Sequence, residues 1–171
     1  MRYLLIPALL LAPAFAQEHR HDNSMQHDHS TMESRGNEAM GFDQAKTTHH
    51  FLDTKDGGTI RVTAKDASDK ASVEQIRAHL QEIAKSFAAG DFDKPSFVHA
   101  KNPPGADTLR KLKDQIRYSY RPIAAGAEVV ITSKDAEAVK AVREFFGMQI
   151  EEHKTGDRTA LPQDTIVALM S

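Results

Sequence analysis

The chain has 171 residues, with 22 Lys and Arg, 24 Asp and Glu, and no Cys. That length suffices for one domain with its own core, and the missing Cys excludes disulfides, a thiol nucleophile and a lipid-anchored lipoprotein. A formal net charge of −2, with no basic patch interleaved with aromatics, argues against nucleic acid or an anionic membrane surface as partner.

Residues 1–16 read as a secretory signal peptide. Arg2 gives a positive start, Leu4 to Leu11 is an apolar run broken only by Pro7, and Ala14-Phe15-Ala16 fits the small-x-small cleavage pattern. The run is shorter than the ~20 residues that cross a bilayer, so no membrane span is expected. Cleavage before Gln17 removes Arg2 and takes the formal charge from −2 to −3. The expected destination is periplasmic or secreted, with the Gram-negative periplasm first.

Residues 17–40 are polar and without apolar periodicity, which predicts a disordered arm. The arm holds His19, His21, His27 and His29, with Met25, Met32 and Met40. Imidazole binds Cu(II), Ni(II) and Zn(II), and thioether suits Cu(I). The mixture fits copper capture better than structural zinc; the plainer alternative is a solvated linker.

The folded domain is expected over 41–158, with a tail at 159–171 whose Thr165–Met170 stretch fits a short docking strand or helix. Two alternating runs flank Asp56-Gly57-Gly58 and predict a β-hairpin with glycine in the turn. A helix follows, its face marked by Val73, Ile76, Leu80, Ile83 and Phe87. It starts at a capping box at Ser72–Gln75 or a few residues earlier at Ser68 or Asp69, and ends at Gly90. Asp91 to Ala100 reads as a connection in which Phe97-Val98 is a short extended piece, and Pro103-Pro104-Gly105 as a turn. Asp107 to about Lys113 suggests a short helix with Leu109 and Leu112 inward. A second hairpin runs from Ile116 to Ile131 with Gly126 at its turn. Asp135 then caps a helix with Val139, Val142, Phe146 and Ile150 on one face, stopped by Gly156.

The two halves look like an internal repeat. Gly57 to Asp66 lies over Gly126 to Asp135 at an offset of 69, and the helices align at 66. The expected fold is α+β: two strand-strand-helix units forming a four-stranded antiparallel sheet with helices on one face. The offset sets Tyr118 over His49 and Ser119 over His50. His49 is therefore expected to face the helices and His50 to face away.

Within the domain, His79 lies beside the apolar stripe of the first long helix. His153 continues the apolar face of the last helix and aligns with Phe87. His99 precedes the Pro-Pro-Gly turn. His49, His79, His99 and His153 together are the expected ordered site for copper, zinc or iron, with Glu152 or Asp157 as outer partners that orient the rings. For each alone, a boundary histidine with a backbone hydrogen bond is the plainer alternative. No His-Glu-x-x-His motif, Gly-x-Ser-x-Gly elbow or phosphate-binding glycine loop is present. His49 or His99 fits a general base, but nothing names a substrate.

Met40-Gly41-Phe42-Asp43-Gln44 and Lys46-Thr47-Thr48-His49-His50-Phe51 resemble a family of uncharacterised small exported bacterial proteins. The likeness continues through Ile76-Arg77-Ala78-His79-Leu80, the Pro-Pro-Gly turn and His153-Lys154-Thr155-Gly156-Asp157. It implies a shared domain behind a variable His/Met-rich arm. Some members carry the label aspartate carbamoyltransferase, which does not suit this chain: the Ser-Thr-Arg-Thr phosphate loop is absent and two α/β domains do not fit the length. Arg143 departs from the family, where a His is expected, and a site depending on that position would be incomplete here. The function expected from the sequence is transition-metal binding, copper first, for scavenging, delivery or tolerance. The alternatives are a small metal-dependent or His-based enzyme, or a metal-free binding module that self-associates through the sheet face around His50 and Ser119.

Overall fold

The computed structural model describes residues 34–158. Residues 1–16, expected to be a signal peptide, the histidines His19, His21, His27 and His29, and the tail at 159–171 lie outside the described residues.

The fold is α+β, with one four-stranded antiparallel sheet. Helix α1 covers residues 34–40. Strands β1 (Thr47–Thr54) and β2 (Gly57–Ala64) form the first hairpin. Helices α2 (Lys70–Ala88), α3 (Asp93–His99) and α4 (Ala106–Lys111) follow. Strands β3 (Ile116–Ile123) and β4 (Gly126–Ser133) make the second hairpin, and α5 (Ala136–His153) closes the domain. The sheet order is β1-β2-β4-β3, so the hairpins meet along β2 and β4.

The repeat is present in the geometry. Thr47 and Ile116 open the outer strands and Gly57 and Gly126 the inner ones, both pairs 69 residues apart. Asp69 and Asp135, 66 apart, cap the two long helices by accepting from the backbone N–H of Ser72 and Ala138. Asp69 is thus the cap, and the Ser72–Gln75 box is not used. Each helix packs on the strands of the other half: α2 lies mainly over β3 and β4, α5 over β1 and β2. The core between them includes Val62, Ile76, Leu80, Val129, Val142 and Phe146.

Four expectations change. The hairpin turn is Lys55-Asp56, neither at positive φ, and Gly57 and Gly58 belong to β2. Glycine is needed in β2 for close approach, and at Gly57 also for a φ of 149°. A methyl on Gly57 would stand 2.2 Å from the Ile131 carbonyl oxygen, and one on Gly126, which is likewise the first residue of β4, 2.1 Å from that of Val62. Residues 93–99 are helical, with no extended piece at Phe97-Val98. Seven residues are too few to display a 3.6 period, and Pro95 sits in the first turn, where its missing N–H costs no intrahelical bond. Lys154 in the left-handed region, φ 51°, ends α5 ahead of Gly156. Finally, the folded part starts before residue 41. Helix α1 packs on the domain through Met40, and Arg35 Nε donates to the Val98 carbonyl at 2.9 Å. Among the described residues no helix is long and apolar enough to cross a membrane.

Candidate functional site: a buried imidazole cluster

Alternation along β1 points Thr47, His49, Phe51 and Asp53 toward the helices and His50 away. His79 projects from α2 between Ile76 and Ile83. His99 and His153 are the last residues of α3 and α5. These four histidines, distant in sequence and carried by four elements, line one mostly apolar cavity of about 70 Å³. That is room for a few water molecules, or an ion with one or two.

His153 is central. Its ring centre is 5.4 Å from that of His49 and 5.3 Å from that of His99. Phe51 also stacks on it at 6.1 Å. His79 joins through Phe42, whose ring lies 5.5 Å from His79 and 6.0 Å from His49. Burial lowers the His49 pKa to about 3, helped by His153, His79 and His50. It lowers His79 to about 4, with Lys94 adding to the shift and Glu82 opposing it. It lowers His153 to about 4, with His99 adding and Glu152 opposing. All three rings are therefore neutral at pH 7, with a lone pair free to donate.

His99 is held from both sides. Nδ1 faces Glu152 Oε2 at 2.5 Å and Nε2 faces Gln149 Oε1 at 3.0 Å. Two acceptors on one ring call for a doubly protonated imidazole, or for the Gln149 amide turned to donate. As placed, Gln149 Nε2 is buried without a partner among the described residues. Glu152 also pairs with Lys101. Burial would raise the Glu152 pKa, but the bonds from Lys101 and His99 outweigh it and hold the group below its usual value.

Both expected carboxylates hold a ring, on different histidines. Asp157 accepts from His50 Nδ1 at 3.0 Å and from the Phe51 backbone N–H at 2.9 Å, which ties the segment after α5 to the edge of β1. Sequence reasoning missed Gln149, Phe42 and Lys101. The signal for Gln149 was its spacing: 149, 152 and 153 share one helical face.

The repeat gives the cluster a counterpart. His49, His79 and His153 correspond to Tyr118, Phe145 and Phe87 at the same offsets. In that image Phe87 lies 5.9 Å from Tyr118 and 5.8 Å from Phe145. Phe87 and Phe145 also line the imidazole cavity, so the two clusters adjoin, one built of imidazoles and the other of two phenyl rings and a tyrosine.

Beyond His49 and His153 opens a polar cleft of about 410 Å³, bordered by Lys65, Lys154, Thr47 and Glu152. The two rings form the wall between cleft and cavity. Two imidazoles on one tetrahedral ion have ring centres roughly 5 Å apart, from a metal–nitrogen distance of ~2.0–2.1 Å. The His49–His153 and His99–His153 separations are near that value. Among the described residues no three His, Cys, Asp or Glu side chains form a ready-made ligand set as placed, so coordination requires the rings to turn.

No family model, curated protein or solved structure matches the chain.

Proposed function

We propose that this is an exported, periplasmic transition-metal-binding protein, copper first, serving scavenging, delivery or tolerance. The observation that carries the reading is the convergence of His49, His79, His99 and His153 on one cavity, with three of them held neutral by burial. Packing alone does not call for imidazole here. Phe145 and Phe87 fill two of the equivalent positions without any polar atom, whereas each buried imidazole carries a desolvation cost; Tyr118, at the third, buries a single hydroxyl. Glu152, itself paired with Lys101, holds His99 at Nδ1 as an outer partner, and Nε2 reaches an ion only when its contact with Gln149 opens. In this reading His19, His21, His27 and His29 gather the ion and the cavity holds it.

The test is calorimetric titration of the chain from Gln17 onward with Cu(II) and Zn(II), and with Cu(I) by competition. One ion should bind with defined stoichiometry. His49→Ala or His153→Ala should abolish that step, while replacing the four arm histidines with Ala should leave it. Binding that disappears with the arm and survives His49→Ala and His153→Ala would sink the ordered site.

A second reading, a small metal-dependent enzyme, is supported by the polar cleft that shares His49 and His153 with the cavity. An ion on those two rings would have a side open to a small polar substrate.

A further inference from the structure

We infer that the cavity takes copper as the monovalent ion, Cu(I), and that the thioether of Met40 is one of its ligands. This rests on the copper reading above and specifies the oxidation state and an additional donor.

Met40 ends α1, packs on the core and lines the same cavity as the four histidines. Its position is fixed from both sides. Arg35 Nε donates to Val98 on α3, and Gly41 N–H donates to the Asn37 carbonyl at 3.1 Å at the end of α1. Methionine is also a common filler of irregular gaps, and a leucine would serve there equally well. What distinguishes Met40 is its company: it lines one cavity with four imidazoles, and thioether and imidazole both ligate as uncharged donors, the thioether a soft one.

The charge balance of the cavity points the same way. Among the described residues no Asp or Glu lines it. Besides the histidines, Lys94 is its one ionisable lining residue among the described residues, and its ammonium pairs with Glu82 at 3.4 Å. The remaining walls are largely carbon, among them Phe51, Val62, Leu80 and Phe145. The cost of placing an ion in such a medium grows with the square of its charge, so a divalent ion costs about four times what a monovalent one does. Zn(II) and Cu(II) sites commonly offset that cost with thiolate or carboxylate ligands, which this cavity does not offer. A monovalent soft ion loses least on transfer and gains most from sulfur. No electron or proton need move: Cu(I) arrives and leaves as such.

The experiment uses the chain from Gln17 onward, with His19, His21, His27 and His29 replaced by Ala and Met25 and Met32 by Leu. Cu(I) is supplied anaerobically as its bicinchoninate complex, and Zn(II) as the aqueous ion. One Cu(I) should be withdrawn from the chelator and bound more tightly than Zn(II). Met40→Leu should weaken Cu(I) by about tenfold or more, at least the loss that removing an outer-shell partner brings. It should leave the thermal midpoint and Zn(II) affinity unchanged. Met40→Cys, a soft donor of another shape, should restore Cu(I) binding. Copper X-ray absorption should show a sulfur neighbour that Met40→Leu lacks. Equal Cu(I) affinity in Met40→Leu and its parent, or Zn(II) binding tighter than Cu(I), overturns the inference while leaving a metal site standing. Failure of the parent to bind either ion overturns both.

Discussion

Asp53 and Arg143 show what a single buried charge does to this domain. Among the described residues neither carboxylate oxygen of Asp53 has a hydrogen-bond partner, nor does Arg143 Nε. Burial raises the Asp53 pKa to about 6, and the nearby Arg143 only partly opposes it. The unfolded chain releases this proton near pH 4, the folded chain near pH 6, so stability falls as pH rises through that window. Asp53→Asn should therefore stabilise the protein above pH 6 by about 1–2 kcal/mol, allowing for screening at its open edge. Below pH 4 it should change little; urea midpoints at pH 3.5 and 7 check this. The histidines have the opposite sign. Their folded values of about 3 to 4 lie below the unfolded 6.5. Their contribution is intact above pH 6.5 and is lost as pH falls toward 4, by up to about 1.4 kcal/mol per pH unit for each group. Replacing His49, His79 and His153 together with Phe, after the counterpart ring cluster, should flatten that acid limb. An unchanged limb would place the acid sensitivity elsewhere. The inward aim of His49 was legible from strand alternation, and that of His153 from its spacing after Ile150. Gln149 and Asp53 were not: a polar residue that ends up buried looks in sequence like one on a solvated face.

At the level of elements, the strands were more legible than their connections. Period-two alternation and the offset of 69 carry β1 to β4, because one buried sheet face fixes register strongly. The glycines of the first hairpin were assigned to the turn, when close tertiary contact is what demands them, with β4 at Gly57 and with Phe146 of α5 at Gly58. That contact is long-range and leaves no local signal. Helices α1 and α3 escaped for a related reason. Each is about two turns long and held by tertiary contacts, such as Arg35 to Val98 and His99 to α5, more than by its own periodicity. The segment after α5 is tied similarly. Asp157 takes the Phe51 N–H on edge strand β1 and the His50 ring together, and those bonds hold its pKa down against the effect of burial. Asp157→Ala should cost about 1–3 kcal/mol and leave the Phe51 amide exposed. Hydrogen exchange at Phe51 should accelerate more than at Val62 on β2; equal acceleration of both would mean global destabilisation and no local tether.

Across the whole molecule, the exchange of helices between halves decides how the site is assembled. α2 belongs to the first half and covers the strands of the second; α5 does the reverse. Neither hairpin meets its main helical cover within its own unit, so neither half buries a core alone. The imidazole cluster inherits this division. His49 and His79 come from the first unit, His99 from the connection and His153 from the second. The cavity therefore exists only when both halves are folded, and an ion bound there would stabilise the assembled state over the separated one. Residues 34–112 and 113–158, prepared separately, should each give the circular dichroism of a largely unfolded chain. Mixed, they should recover the sheet and helix signal, and Cu(I) should shift the association toward complex. His153→Ala in the second fragment should remove the copper effect while keeping metal-free association. A first fragment that folds alone would contradict the exchange of helices, because Val73, Ile76 and Leu80 would then need a partner other than β3 and β4.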